Sequence, residues 1–269
     1  MLGKRARLCE GKAEEGMCAL EAGSVDLVLA DPPYNIGVGS VKWDKIDDYM
    51  KFSRDWLTEC IRLMRPGGAL LIYGSPCRAW VARMTLLLVD ELGMNYVQDM
   101  PWVYTQGGDA RMENMKEYAV RHERLVWFEK PCTGAFKLTF NAQTAAEHYT
   151  EEDRAIALAK GKGRVTNEAL DRGRPPRTFI DIPRENSKSK ERSYGKHPSM
   201  KPLGLCERLV NVHSNEKDLV LVPFAGSGSE LLVAVKLNRR ATGFETEHEY
   251  VQLMKRRFKG HGVLLEDTV

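Results

Sequence analysis

The strongest constraint on how this chain can fold is an alternation of short apolar runs with stretches of helical period. Ser24–Ala30 (SVDLVLA) reads as a buried strand that runs into a Pro-Pro turn. Ile46 to Met64 follows helical spacing, with Ile46, Tyr49, Leu57, Cys60, Ile61 and Met64 on one face, and Arg65-Pro66-Gly67-Gly68 stops it. Ala69–Gly74 (ALLIYG) is the next strand, Ala79 to Leu92 a second helix, and Tyr96–Tyr104 and Leu125–Glu129 two further strands. Later, Pro202 opens a helix through Val212, as proline suits a helix start. Leu219–Phe224 and Ala241–Glu245 are strands, and Ser229–Leu237 and Glu247–Phe258 are helices. Such alternation predicts an α/β, doubly wound sheet.

Between about 132 and 177 the alternation fails, and an Arg-Gly-Arg-Pro-Pro-Arg turn spans residues 172–177. The expected organisation is therefore one catalytic sheet, residues 1–131 and 178–269, interrupted by an inserted segment at 132–177. Charge is divided along the chain in a related way. Thirteen basic and five acidic residues lie between Arg154 and Lys201, leaving twenty-seven basic and thirty-two acidic residues elsewhere. A basic segment on a mildly acidic body fits a polyanion met through one region, or a solvated basic loop. With 43% hydrophobic and 29% charged residues, extensive disorder is excluded. No run approaches the ~20 apolar residues of a membrane span. Met1–Lys12 lacks the apolar core of a signal peptide. The six cysteines show no Cys-x-x-Cys spacing, which argues against structural zinc or a disulfide framework and for a cytoplasmic protein with free thiols.

Two motifs carry chemistry. Asp31-Pro32-Pro33-Tyr34-Asn35 follows directly on the first strand, and in open α/β sheets ligands bind beyond the carboxyl ends of strands. Consecutive prolines remove two N–H donors and leave carbonyls that can only accept. A carboxylate and an aromatic plate stand beside them, a set suited to a planar substrate bearing an exocyclic amine. Asp-Pro-Pro alone would be an ordinary strand-end turn; the added tyrosine and the placement after a buried strand favour the site. The second motif, Phe224-Ala225-Gly226-Ser227-Gly228, joins a strand to a helix, where glycines let the backbone approach a ligand. Glu245 ends the following strand, where an acid can grip ribose hydroxyls.

The pair of motifs resembles that of the amino-DNA methyltransferases, in the order of their β class. The likeness extends to Arg65-Pro66-Gly67-Gly68 with its strand, to His122-Glu123-Arg124-Leu125-Val126-Trp127-Phe128, and to His197-Pro198-Ser199-Met200-Lys201-Pro202. It implies a Rossmann-like methyltransferase sheet with an inserted target-recognition region, S-adenosylmethionine as methyl donor and double-stranded DNA as partner. It also implies a homodimer, as is frequent in that class; whether a cognate restriction enzyme exists is not written in the chain. Carried over residue by residue, Asp31, Pro32, Pro33 and Tyr34 would act on the target base. Asp31, Phe224, Ala225, Gly226, Ser227, Gly228, Glu245, Lys201 and Pro202 would line the donor pocket. Two positions depart from the pattern. Val222 stands where the family usually has the aspartate that meets the donor's amino group, and Lys12 replaces an acid near its adenine. Glu10, Glu14 and Glu230 are the nearby acids available to compensate.

The expected reaction is transfer of a methyl group to adenine N6, with Asp31 and the Pro32 carbonyl accepting both amine hydrogens and Tyr34 stacking on the base. A base inside a duplex is out of reach, so flipping is implied. An N4-cytosine enzyme of the same fold is the second reading, disfavoured because that class more often begins its motif with serine. A non-catalytic DNA-binding relative is the third. No metal is expected, since none of the six histidines is paired at ligand spacing. The tryptophans at 43, 56, 80, 102 and 127 are expected in the core. Arg164, Arg172, Arg174 and Arg177 are the candidate phosphate contacts. Replacing Arg172 and Arg174 with alanine should weaken DNA binding and flatten its salt dependence, because fewer counterions are released. A titration across salt concentrations checks this, and an unchanged slope would exclude both residues as phosphate contacts.

Overall fold

In the computed structural model, which describes residues 5–36, 42–104, 118–133, 137–161, 164–186 and 188–268, the apolar runs assemble into one ten-stranded sheet. Residues 1–4 of the opening segment, and 134–136 and 162–163 of the expected insertion, lie outside the described residues. The strands are β1 (Arg5–Glu10), β2 (Val25–Ala30), β3 (Met64–Gly74), β4 (Asn95–Asp99), β5 (Trp102–Val103), β6 (His122–Glu129), β7 (Ile180–Asp181), β8 (Leu219–Val222), β9 (Arg240–Glu245) and β10 (Leu264–Thr268). Their order is β10-β1-β9-β8-β2-β3-β6-β5-β7, with β4 also paired to β6. From β10 to β3 every pair is parallel, and β6 then enters antiparallel to β3.

Both faces of the central strands are buried, which is why they read as continuous apolar runs. Side chains still alternate with period two. Leu27, Leu29, Leu71, Tyr73, Leu125 and Trp127 enter one core layer, and Val28, Ala30, Leu70, Ile72, Val126 and Phe128 enter the other. The helices are α1 (Ala13–Gly16), α2 (Tyr49–Leu63), α3 (Trp80–Leu86), α4 (Glu151–Lys160), α5 (Asn167–Asp171), α6 (Leu203–His213), α7 (Ser229–Lys236) and α8 (His248–Gly260). The second layer is closed by α2 and α3, and the first by α6, α7 and α8. The result is the three-layer, doubly wound α/β architecture that the alternation predicts. Among the described residues no helix is long and apolar enough to cross a membrane.

Several local expectations change. The helix expected from Ile46 begins at Tyr49, where the Asp48 carboxylate accepts the Lys51 N–H at 2.9 Å and caps it. Arg65–Gly68 does not separate helix from strand: β3 starts at Met64, and Gly67 and Gly68 exchange backbone bonds of 2.9 and 3.0 Å with Lys130. The strand expected over Tyr96–Tyr104 is divided into β4 and β5 at Pro101, which has no N–H to give the ladder. Met100 still exchanges bonds of 2.7 and 3.1 Å with Leu125. The helix expected over Ala79–Leu92 is α3 followed by a wider π turn at Leu87–Glu91. Pro202 is the N-cap of α6, in extended backbone, so that helix starts one residue later than expected. The segment expected to be an insertion contains α4 and α5, capped by Thr150 and Thr166, and an isolated bridge between Glu147 and Arg174. None of the six cysteines is joined in a disulfide.

One buried cation secures the elements behind the glycine motif. Arg257 of α8 is fully buried. Its Nε donates to Glu191 Oε2 at 2.6 Å, and its Nη1 donates to the Ser227 carbonyl and to Ser229 Oγ, both at 2.9 Å. Glu191 therefore neutralises a charge that the core would otherwise hold alone. Glu191→Ala should lower stability by about 3 to 5 kcal/mol, the usual effect of stranding one member of a buried ion pair. Urea unfolding of parent and variant measures it.

Candidate active site

Strands β2 and β8 are parallel neighbours, so their carboxyl ends emerge side by side. Asp31–Tyr34 leaves the first and Phe224–Gly228 the second, and both border a cavity of about 670 Å³. Asp31, Pro32, Pro33, Tyr34, Phe224, Ala225, Gly226, Ser227, Glu245 and Lys201 all line it. Gly228 and Pro202 stand behind the wall as N-caps of α7 and α6. Val222 is on the apolar side of β8, buried in the first core layer.

Backbone geometry explains the two glycines. Gly226 has φ +50°, and a Cβ there would lie 3.0 Å from His197 Nε2. Gly228 has φ +76°, and a Cβ there would meet Met254 Sδ at 2.8 Å. Both positions are in the left-handed region that favours glycine. The Gly226 N–H donates to Glu245 Oε2 at 2.7 Å, and the Glu247 N–H donates to Glu245 Oε1 at 2.9 Å. Glu245 thus braces the loop it faces, and burial pushes its carboxyl upward. On the opposite wall, buried Asp44 accepts the backbone N–H groups of Asn35 and Ile36 at 2.7 and 3.1 Å. Asn35 exchanges two side-chain bonds with the Ile46 backbone, which pins the turn after Tyr34.

At the base of the cavity four polar side chains share one knot. Lys201 is 3% exposed, and its Nζ lies 2.9 Å from both Asp31 Oδ2 and Glu123 Oε2 and 3.2 Å from Tyr34 Oη. The Tyr34 hydroxyl is 2.8 Å from Asp31 Oδ1 and 2.8 Å from Glu123 Oε2. One hydroxyl proton can serve only one of those carboxylates at a time. The Lys201 carbonyl accepts from Ser229 Oγ at 2.7 Å, which ties the knot to the start of α7. Aromatic faces enclose the ammonium, with the Tyr73 ring centre 4.8 Å away.

The two carboxyls are not equivalent. Burial pushes Asp31 above its ordinary range; Lys201 opposes that rise and the Glu123 charge adds to it. Burial also works to raise Glu123, but the Lys201 charge and the hydrogen bonds from Lys201 and Tyr34 hold it below the usual carboxylate range. Burial would lower Lys201, and the two carboxylates instead raise it above an ordinary ammonium. Asp31 is therefore the carboxyl readier to take up a proton. His197, on the same wall, is pushed down to about 3 by burial and by the neighbouring Lys201, Arg192 and Arg257 charges, so it is neutral.

Glu123 carries no assigned role in the sequence reading, and Glu230 enters it only as one of three acids that could compensate for Val222. Glu123 shares a face of β6 with Leu125 and Trp127, both buried, and a carboxylate on an inward face requires a cation. That periodicity was the available signal. Trp56, Trp102 and Trp127 are in the core as expected, but Trp43 lines the cavity. The four arginines lie away from the cavity wall. Arg174 pairs with Asp153 at 3.0 Å and covers the Tyr149 ring, and Arg177 pairs with Glu147 at 2.7 Å. Arg172 donates through Nε to the Glu168 carbonyl at 3.4 Å.

A doubly wound sheet with a glycine loop and an Asp-Pro-Pro-Tyr turn on one cavity defines an enzyme of the nucleotide-site α/β class. The chain belongs to the N6/N4 DNA methylase family, whose model matches residues 25–256. It is similar to the type II methyltransferase M.HpaI of Haemophilus parainfluenzae, 32% identical over 254 residues, covering 93% of this chain and 73% of that protein. It is also similar to the type II methyltransferase M2.DpnII of Streptococcus pneumoniae, at 27% identity over 88% of this chain and 83% of that one. Among solved structures, the Thermus thermophilus protein TTHA0409, complexed with S-adenosyl-L-methionine, superposes with a TM-score of 0.64 and 27% identity, covering 98% and 100% of the two chains. The cytosine-N4-specific PvuII DNA methyltransferase shares the fold at a TM-score of 0.69 and 17% identity, covering 98% and 97%.

The knot makes a specific demand on Lys201. Lys201→Met should cost about 3 to 5 kcal/mol at neutral pH by leaving two buried carboxylates without their cation. Asp31 then rises further and Glu123, no longer held down by Lys201, is pushed up by burial, and a carboxyl raised above its unfolded value opposes folding most where it must be ionised. The deficit against the parent should therefore shrink as pH falls through the raised values. Denaturant unfolding at several pH values reads the trend.

Proposed function

We propose that the protein transfers a methyl group from S-adenosylmethionine to the N6 amine of adenine in double-stranded DNA. The observation that carries this reading is the acceptor set at the cavity wall. Asp31 receives one hydrogen bond on each oxygen, from Tyr34 and Lys201, and a carboxylate offers about four acceptor positions. Pro33's carbonyl is taken by the Tyr49 hydroxyl at 2.6 Å, and Pro32 lines the cavity beside Asp31. Asp31 and Pro32 therefore present two adjoining acceptors to an exocyclic amine.

An amine whose lone pair is delocalised into a ring is a poor nucleophile. Accepting both its hydrogens favours a pyramidal nitrogen with the lone pair available, so the chain contributes positioning and electrostatics. The donor, when bound, supplies an electrophilic methyl on a cationic sulfur. The carbon–sulfur bond breaks as the carbon–nitrogen bond forms, and the nitrogen sheds one proton. Asp31, held above its ordinary range, is suited to hold that proton before it leaves to solvent. The knot carries two carboxylates against one ammonium, a net negative charge that favours a cationic ligand. The glycine loop, with Glu245 behind it, provides the close backbone approach a nucleoside group needs. The segment 132–177, with its arginines on its own surface, is assigned to DNA recognition.

Asp31→Ala should reduce methyl transfer by at least about a hundredfold, as expected when a preorganised acceptor is removed, while DNA binding is retained. Mass spectrometry of nucleosides from treated DNA should show N6-methyladenine with the parent. N4-methylcytosine in its place would identify the cytosine enzyme of the same fold, and near-normal turnover by the variant would refute the role of Asp31.

A further inference from the structure

Glu230 is the buried carboxylate on the cavity wall that the chemistry above leaves unused. It sits in the first turn of α7, is 4% exposed, and lines the cavity. Its Oε1 is buried and has no hydrogen-bond partner among the described residues. A buried acid with an orphaned oxygen is unfavourable unless a ligand completes it. The cations around it pair with other acids: Lys201 with Asp31 and Glu123, and Arg257, through Nε, with Glu191, its buried Nη2 having no partner among the described residues. The other titratable groups around it are Asp31 on the wall, Tyr73 from β3 and Cys206 from α6, and burial holds the last two protonated.

We infer that Glu230 is the acceptor for the α-ammonium of the methyl donor's amino-acid moiety, supplying from the helix the carboxylate absent at Val222. This rests on the reading of the cavity as the donor site. Val222 cannot serve, since it is apolar and faces the core. Glu10 is engaged by His248 at 2.9 Å, and Glu14 is a half-buried residue on α1. Glu230 combines burial, an open acceptor and a place on the same cavity as the glycine loop. The position also fits the ligand's charge pattern, because an ammonium held there neutralises a carboxylate that otherwise faces Asp31.

A pH dependence follows. Burial, then the Asp31 charge, pushes Glu230 up to about 7, so near neutrality the free protein holds it partly protonated. An ammonium ligand favours the ionised form, so binding expels the proton and affinity rises as pH increases through that value. The test is calorimetric titration of the parent and Glu230→Gln with S-adenosylhomocysteine and with its analogue lacking the α-amino group. Each is measured at about pH 5.5 and about pH 7.5, where the ligand's amino group, beside its own carboxylate and so more basic than a peptide terminus, stays an ammonium. For the parent at the higher pH, loss of the amino group should weaken binding about ten- to a hundredfold, the usual effect of removing a hydrogen bond to a charged group. Glu230→Gln should lose as much with the intact ligand, and deamination should cost that variant nothing further. The parent's preference for the amino ligand should also shrink at the lower pH, a readout that needs no variant. Equal binding by Glu230→Gln and parent, or a preference unchanged by pH, would overturn the assignment. A parent that binds neither ligand would overturn the donor reading beneath it.

Discussion

The site depends on one buried ammonium. Lys201 holds two carboxylates and a phenol within hydrogen-bond reach, and each of those groups comes from a stretch of chain far from it in sequence. Asp31 and Tyr34 follow β2, Glu123 begins β6, and Lys201 precedes α6. Bringing two acids into a low-dielectric interior is unfavourable, and a cation between them is what makes the arrangement tenable. The same cation keeps the Asp31 oxygens facing a defined direction. In the reaction proposed above, the group that would orient the amine is thereby oriented before the amine arrives, which is how a rigid site lowers the cost of reaction.

Around that knot the architecture divides the work. The parallel half of the sheet supplies strand ends that open on one side, where the two motifs meet. The antiparallel strand β6 then delivers Glu123 from the opposite direction, its amino end lying alongside the carboxyl end of β3. Behind the glycine loop, Arg257 and Glu191 hold α8 to Ser227 and Ser229, so the loop is backed by a second ion pair rather than by apolar packing alone. Loop and turn are fixed independently, one by Arg257 and Glu245 and the other by Asp44 and Asn35.

Much of this was legible in the residues. The central strands announced themselves as apolar runs because both faces are covered, and the motifs at their ends could be placed for that reason. The outer strands did not. β1 alternates buried Ala6 and Leu8 with exposed Arg7, too short a pattern to stand out, and β10 is polar with Leu264 largely exposed. Arg65–Gly68 looked like a stop because proline and glycine usually end elements, yet pairing with Lys130 carries it into a strand. For the site, Asp31 and the glycine loop were readable from neighbours in sequence. Glu123 was not, because a charge within an apolar stretch acquires meaning only from a partner that folding brings from far away; Glu230 could be named beside Glu10 and Glu14, but its burial, which sets it apart from them, is written only in the fold.

The distance between those partners along the chain bears on how the protein is made. Asp31 and Glu123 are synthesised well before Lys201, which follows Glu123 by 78 positions. At roughly 5 to 20 residues per second, that interval is on the order of four to sixteen seconds. During it, an emerging chain that paired β2, β3 and β6 would have to bury two carboxylates with no counter-charge. Tight collapse of the first half is thus discouraged until the lysine arrives, and the cavity closes as a late event of biosynthesis. A nascent fragment ending before residue 201 carries the Asp-Pro-Pro-Tyr turn in full, yet lacks the ion that would let it set.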